Sequence, residues 1–229
     1  MSINELRDLT DDKLRDAAGR ITPESRERAL GLAVARYSTD RPRELVADVV
    51  SAGGQELPLP AGWVAGVSGL RAVELLPEQV PPALLPISRC LVYRRPAGEA
   101  IILDRVLTAG DAVRLTFTAP HVLDDTTDTI PEADRGAVAC YAAAELADQL
   151  AAASADDVAP TIAADSADQG HAAREWAATA RRLRARYFAA LGIATHQGGA
   201  ERTRTKPAGV VVDVDLSDSR DRGWLGRRR

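Results

Sequence analysis

Val113–Leu150, VRLTFTAPHVLDDTTDTIPEADRGAVACYAAAELADQL, carries the plan of the chain in its change of hydrophobic period. It opens with strict alternation of apolar and polar residues, the period of a half-buried strand. It closes on an alanine-rich run in which Ala139, Ala143, Leu146 and Leu150 recur at helical spacing. Between the two lies a helix entrance. Thr129 or Ile130 precedes Pro131, and Glu132 and Asp134 occupy the first turn beside the positive helix end. The segment therefore predicts a β-rich middle that hands over to helices.

Toward the N-terminus, Ser2 to Glu5 forms a capping box, followed by Leu6, Leu9 and Leu14 on a short amphipathic helix that Gly19 is expected to end. Thr22 caps the next helix, with Pro23 at its first position and Glu24 near its positive end, and STDRP from Ser38 to Pro42 stops it. From Glu44 the pattern turns extended. LVADVV and ELPLP flank Gly53-Gly54, and LRAVELL, RCLVYRR, AIILDRVL and AVRLTFT follow, separated by EQVPPALLP, Pro96-Ala97-Gly98 and Ala109-Gly110-Asp111. Strands at such spacing with turn residues between them predict a small antiparallel sheet or sandwich.

Toward the C-terminus, SADDVAPTIAADSADQG reads as a linker. A last helix runs from about His171 to Leu191, with the stripe Trp176, Ala180, Leu183, Tyr187 and Leu191 and with Gly192 as its cap. THQGGAERTRTKPAG is a second linker. It leads to VVVDVDLSDSRDRGWLGRRR, in which Val210–Leu216 has strand character and Trp224-Leu225 lies among arginines. The fold class is thus α+β. N-terminal helices occupy 1–43, an antiparallel β-module 44–120, a pair of long helices 121–192, and a linker with an extended arm 193–229.

Composition bounds the function. The chain has 229 residues, 45% hydrophobic and 27% charged, and 42 of them are alanine while aromatics are only 4%. Alanine buries little apolar area, so close helix packing or neighbouring subunits must complete the core. A net charge of −4 argues against a general nucleic-acid binder, although the end of the chain, with Arg220, Arg222, Arg227, Arg228 and Arg229 against Asp221, is basic. Cys90 and Cys140 have neither metal-ligand nor disulfide spacing, which favours a reduced, cytosolic setting. No secretion signal or membrane span is read from the sequence.

Each possible chemical centre has a plainer structural reading. His121 stands near Asp124 and Asp125 with Cys140 downstream, but no local third group completes a nucleophilic pair, and a cysteine among alanines is usually a small buried hydrophobe. Asp156, Asp157, Asp165, Asp168 and His171 lack the ligand alternation, turn glycine and distal Glu of a calcium loop, so they read as a solvated acidic linker. GVSG and AGG offer no phosphate cradle. No catalytic residue, cofactor or metal is assigned. Arg174, Arg181, Arg182, Arg184 and Arg186 line the last helix opposite its apolar stripe, as a solvated face or one that meets an acidic subunit or the phosphates of DNA.

In order along the chain, these features resemble the head–tail connector, or adaptor, proteins of tailed bacteriophages. The strings that carry the resemblance are VRLTFTAPHVLDDTTDTIPEADRGAVACYAAAELADQL and PTIAADSADQGHAAREWAATARRLRARYFAALG, and it spans about residues 23 to 192. The resemblance implies a helical adaptor core with the β-module inserted. It further implies a virion protein of the neck, assembled in the bacterial cytoplasm as a ring of identical subunits, typically dodecameric, beneath the portal. Such a ring lines the channel for genomic DNA and contacts the next neck or tail protein. The arm, through Val210, Val211, Val212, Val214, Leu216, Trp224, Leu225, Arg227, Arg228 and Arg229, would reach the portal. A stopper or tail-completion subunit and a DNA-binding accessory protein are the alternatives.

Overall fold

Arg43–Ala119 supplies every strand of the computed structural model, which describes residues 3–77, 79–156 and 166–193, the side chains of 16, 18, 156 and 166–171 excepted. Seven strands form two antiparallel sheets. β1 (Arg43–Val50), β7 (Ala112–Ala119), β3 (Leu70–Leu75) and β4 (Ala83–Leu85) lie side by side in that order. β2 (Gly54–Leu57), β6 (Gly98–Leu107) and β5 (Cys90–Arg95) make the second sheet.

Alternation along the strands creates one shared interior. Val49, Val73, Leu75, Leu85, Val113, Leu115 and Phe117 of the first sheet are buried with Leu57, Ile101, Leu103 and Leu107 of the second. Trp63, from the strandless stretch between β2 and β3, closes one part of this core, its ring 5.7 Å from that of Phe117. Glu99 holds the stretch in place. Its carboxylate accepts from the Trp63 indole N–H at 2.8 Å, the Gly66 N–H at 3.0 Å and Arg94 at 2.9 Å. These bonds, that from Trp63 foremost, keep its carboxyl below the usual range.

Four α-helices make the other half of the described residues. α1 (Ile3–Leu14), α2 (Pro23–Asp40) and α4 (Ser166–Ala190) each pack on α3 (Glu132–Asp156). The predicted stripe Ala139, Ala143, Leu146 and Leu150 is buried, and so are Ala137, Val138, Cys140, Ala142, Ala144 and Ala147. Alanine is what permits this, since a helix enclosed by three others needs small side chains to let each backbone approach. The chain divides at Leu191, with Met1–Leu191 as one unit and Gly192–Arg229 as a second.

Most predicted boundaries hold, and three need correction. α1 ends at Leu14, not near Gly19, because Arg15 takes a left-handed backbone (φ 48°) and Arg15–Arg20 continues as a 3-10 helix. EQVPPALLP is not merely a separator: Ala83–Leu85 pairs with β3, where Leu85 enters the core. α4 begins at Ser166, five residues before the position expected at His171, so part of the presumed linker is helical. The Thr22 cap is as predicted, its hydroxyl accepting from the Ser25 N–H at 3.2 Å. Gly192 takes the left-handed backbone (φ 65°) that a helix-ending glycine favours.

Phe117 is fully buried where β7 meets Trp63. Phe117→Ala is expected to cost about 3–5 kcal/mol, the usual penalty for emptying such a site. Chemical denaturation followed by circular dichroism measures it.

Candidate functional site

Two regions gather the side chains that carry charge or chemistry. The first is the junction where the sandwich joins the helices. The chain crosses it twice, from α2 into β1 and from β7 toward α3, and because β1 and β7 are paired (Arg43 opposite Ala119) the crossings lie side by side. His121, just beyond β7, ties them. Its backbone N–H donates to Ser38 Oγ at 2.9 Å. Its Nε2 lies 3.0 Å from the Arg41 carbonyl oxygen and its Nδ1 2.9 Å from that of Thr129. The ring also rests against Tyr37, centroids 4.8 Å apart.

Asp134, in the first turn of α3, is the junction's anion. It accepts from the Tyr37 hydroxyl at 2.6 Å and from Arg41 at 2.8 Å, and the same guanidinium donates to the Leu191 carbonyl at 3.2 Å. A parallel arrangement joins α4 to α2. Tyr187 donates to Asp40 at 2.8 Å, and Arg36 grips that carboxylate through two hydrogen bonds. Burial, then the bond to the neighbouring carboxylate, pushes both phenols well above their ordinary titration range.

The remaining sequence candidates take structural places. Asp124 organises the loop before α3. Its Oδ1 accepts from the Thr126 N–H and hydroxyl and the Thr127 N–H, and the Thr126 hydroxyl leads in holding its carboxyl below the usual range. Asp128 receives Arg135 at 2.8 Å. Cys140 is buried on α3. Asp157 and Asp165 lie outside the described residues, as do the side chains of Asp156, Asp168 and His171, and among the described residues no group of side chains could hold a metal ion. The arm residues Val210, Val211, Val212, Val214, Leu216, Trp224, Leu225, Arg227, Arg228 and Arg229 also lie outside the described residues.

The arginine row of α4 divides by its neighbours. Arg184 turns inward to pair with Glu145 at 2.9 Å and with Asp148, both on α3, whereas Arg174, Arg181, Arg182 and Arg186 are exposed. Arg182 and Arg186 belong to the second region. Between the end of α1 and α4 lies a cleft of about 570 Å³, lined by Asp12, Lys13, Arg15, Trp176, Arg182 and Arg186 together with the buried Leu14 and Leu183. Trp176, Thr179, Leu183 and Arg186 recur three to four residues apart, so one side of α4 faces this gap. Trp176 is therefore half-buried in the cleft, while Ala180, Leu183, Tyr187 and Leu191 of its expected stripe are fully buried.

Lys13, Arg15, Arg182 and Arg186 make no ion pair with any described residue, and among the described side chains four cations and one carboxylate, Asp12, line the cleft. Sequence reading found the α4 arginines but missed Lys13 and Arg15, which join them only through the packing of α1 on α3. The left-handed turn at Arg15, rarely adopted by a side chain of that size, is what ends α1 at the cleft.

No known family model matches the chain, and comparison with curated proteins gives no match either. Among the described residues, no helix is long and apolar enough to cross a membrane.

The two phenols set a pH limit. A group whose titration is raised on folding contributes stability that is fully present below its unfolded value, near 10, and lost as pH climbs toward the folded one. In an absorbance titration at the tyrosinate band, Tyr37 and Tyr187 should stay protonated above pH 10 until the protein unfolds. Tyr37→Phe should remove one late-ionising phenol.

Proposed function

We propose that this chain is a structural protein of the tailed-phage neck, a head–tail adaptor that forms a ring beneath the portal and joins the capsid to the next neck or tail component. The observation that carries the proposal is the plan of the chain. An alanine-faced α3 is enclosed by α1, α2 and α4, and a sandwich is inserted between α2 and α3. That is the order of elements the family resemblance implies.

Surface chemistry is in keeping with a subunit whose burial is completed by neighbours. The sandwich exposes Val46, Val50 and Leu84 on its first sheet and Leu91, Tyr93 and Val106 on its second, apolar side chains that a neighbouring subunit would cover. Under this proposal the work of the protein lies in its contacts. The ring passes genomic DNA without sequence specificity, and the far end of the arm, Trp224 to Arg229, supplies an aromatic anchor flanked by arginines for the portal.

Deleting residues 206–229 is expected to leave the thermal unfolding transition in place while abolishing incorporation into portal-containing particles. Circular dichroism reads the first and mass spectrometry of purified particles the second. A truncated protein that incorporates normally would overturn the role given to the arm.

A further inference from the structure

We propose that the cleft between the end of α1 and α4 is a docking site for the acidic part of the arm, Asp213 to Asp221, of a second copy of this chain. The proposal takes from the adaptor reading only the premise that copies assemble side by side.

Charge complementarity selects the occupant. The cleft presents Lys13, Arg15, Arg182 and Arg186 without ion-pair partners among the described residues, whereas Arg7 pairs with Glu27, Arg26 with Asp11, Arg36 with Asp40 and Arg184 with Glu145 elsewhere in the helical half. Four neighbouring cations repel one another and gain from an anion that neutralises several of them together. DVDLSDSRD, from Asp213 to Asp221, offers four aspartates against one arginine.

Shape and apolar content favour a peptide over nucleic acid. At about 570 Å³ the cleft has the capacity of a pocket for a short segment, far from that of a groove for a duplex. Its walls include Trp176, Leu14 and Leu183, and the acidic segment interleaves its first aspartates with Val214 and Leu216. A partly buried Trp among arginines is the usual centre of a protein interface.

Length permits the reach. Between Ile193, the last described residue, and Asp213 lie residues 194–212, which span up to roughly 60 Å when extended at about 3.3 Å per residue. An arm of one copy in the cleft of the next is a head-to-tail contact, the kind that closes into a ring. Trp224 to Arg229 stay free for a different partner.

The test uses a fluorescein-labelled peptide of residues 208–221 and the full-length chain carrying Asp213→Asn, Asp215→Asn and Asp218→Asn, so that its own arm does not compete. Fluorescence anisotropy is expected to show saturable, salt-sensitive binding, weakened about tenfold or more by adding Arg182→Glu and Arg186→Glu to the protein. A peptide carrying Asp213→Lys, Asp215→Lys and Asp218→Lys should recover binding to that reversed cleft, which separates lost charge from lost fold. Equal binding before and after cleft reversal would overturn the proposal, as would tighter binding of a single-stranded oligonucleotide than of the peptide. No portal enters the assay, so its failure is distinct from failure of the adaptor reading.

Discussion

The structure depends on how its two halves are joined, and the join is made by His121 with the Arg41 and Asp134 ion pair beside it. Both ring nitrogens of His121 meet backbone carbonyl oxygens, one at the end of α2 and one before α3, while its own N–H is taken by Ser38. An unpaired buried polar group costs about 1–3 kcal/mol, so the backbone N–H of His121, given to Ser38, and its ring N–H, given to one of these carbonyls, hold the two chain crossings in one geometry. Asp134 extends the constraint. By accepting from Tyr37 and Arg41 it fixes α3 to α2, and through Arg41 the end of α4 is drawn to the same place. The pairing of β1 with β7 begins immediately beyond this point.

Such a junction suits a protein whose surfaces must be presented at set positions. Sandwich and helices are built differently, one from alternating β-branched, leucine and phenylalanine side chains, the other from alanine, and each alone has a modest interior. Polar networks are directional where apolar packing is not, and a fully partnered one specifies a unique arrangement. The ion pairs farther out, such as Arg114 with Asp48 and Glu74 across the first sheet, are exposed and contribute little to stability. They do leave that sheet's outer face with charge and apolar side chains in alternation, a surface compatible with a neighbour.

The basic cleft shows how a site arises from packing. Arg182 and Arg186 were legible as members of an arginine row on α4, but that row also includes Arg184, which satisfies Glu145 and Asp148 instead. Separation in sequence hid Lys13 and Arg15, because nothing in a local pattern says that the end of α1 faces the last helix. His121 was conspicuous in the sequence as possible chemistry. Its role as a tie became visible only once Arg41 and Thr129 were placed on either side of its ring.

Local signals determined the elements of this protein. Thr22 and Pro23 start α2, alternation in Val113–Thr118 makes a half-buried strand, and alanine at many inward positions gives α3 its closeness to three helices, because capping, pleat and side-chain volume act within a few residues. Tertiary structure alone decided the rest. It recruited Ala83–Leu85 as a strand through the unfilled edge of β3, stopped α1 at Arg15, extended α4 back to Ser166, and chose which arginines are spent on ion pairs and which face the cleft. Each of those outcomes rests on groups distant in sequence whose hydrogen bonds and charges are settled only when the chain is folded.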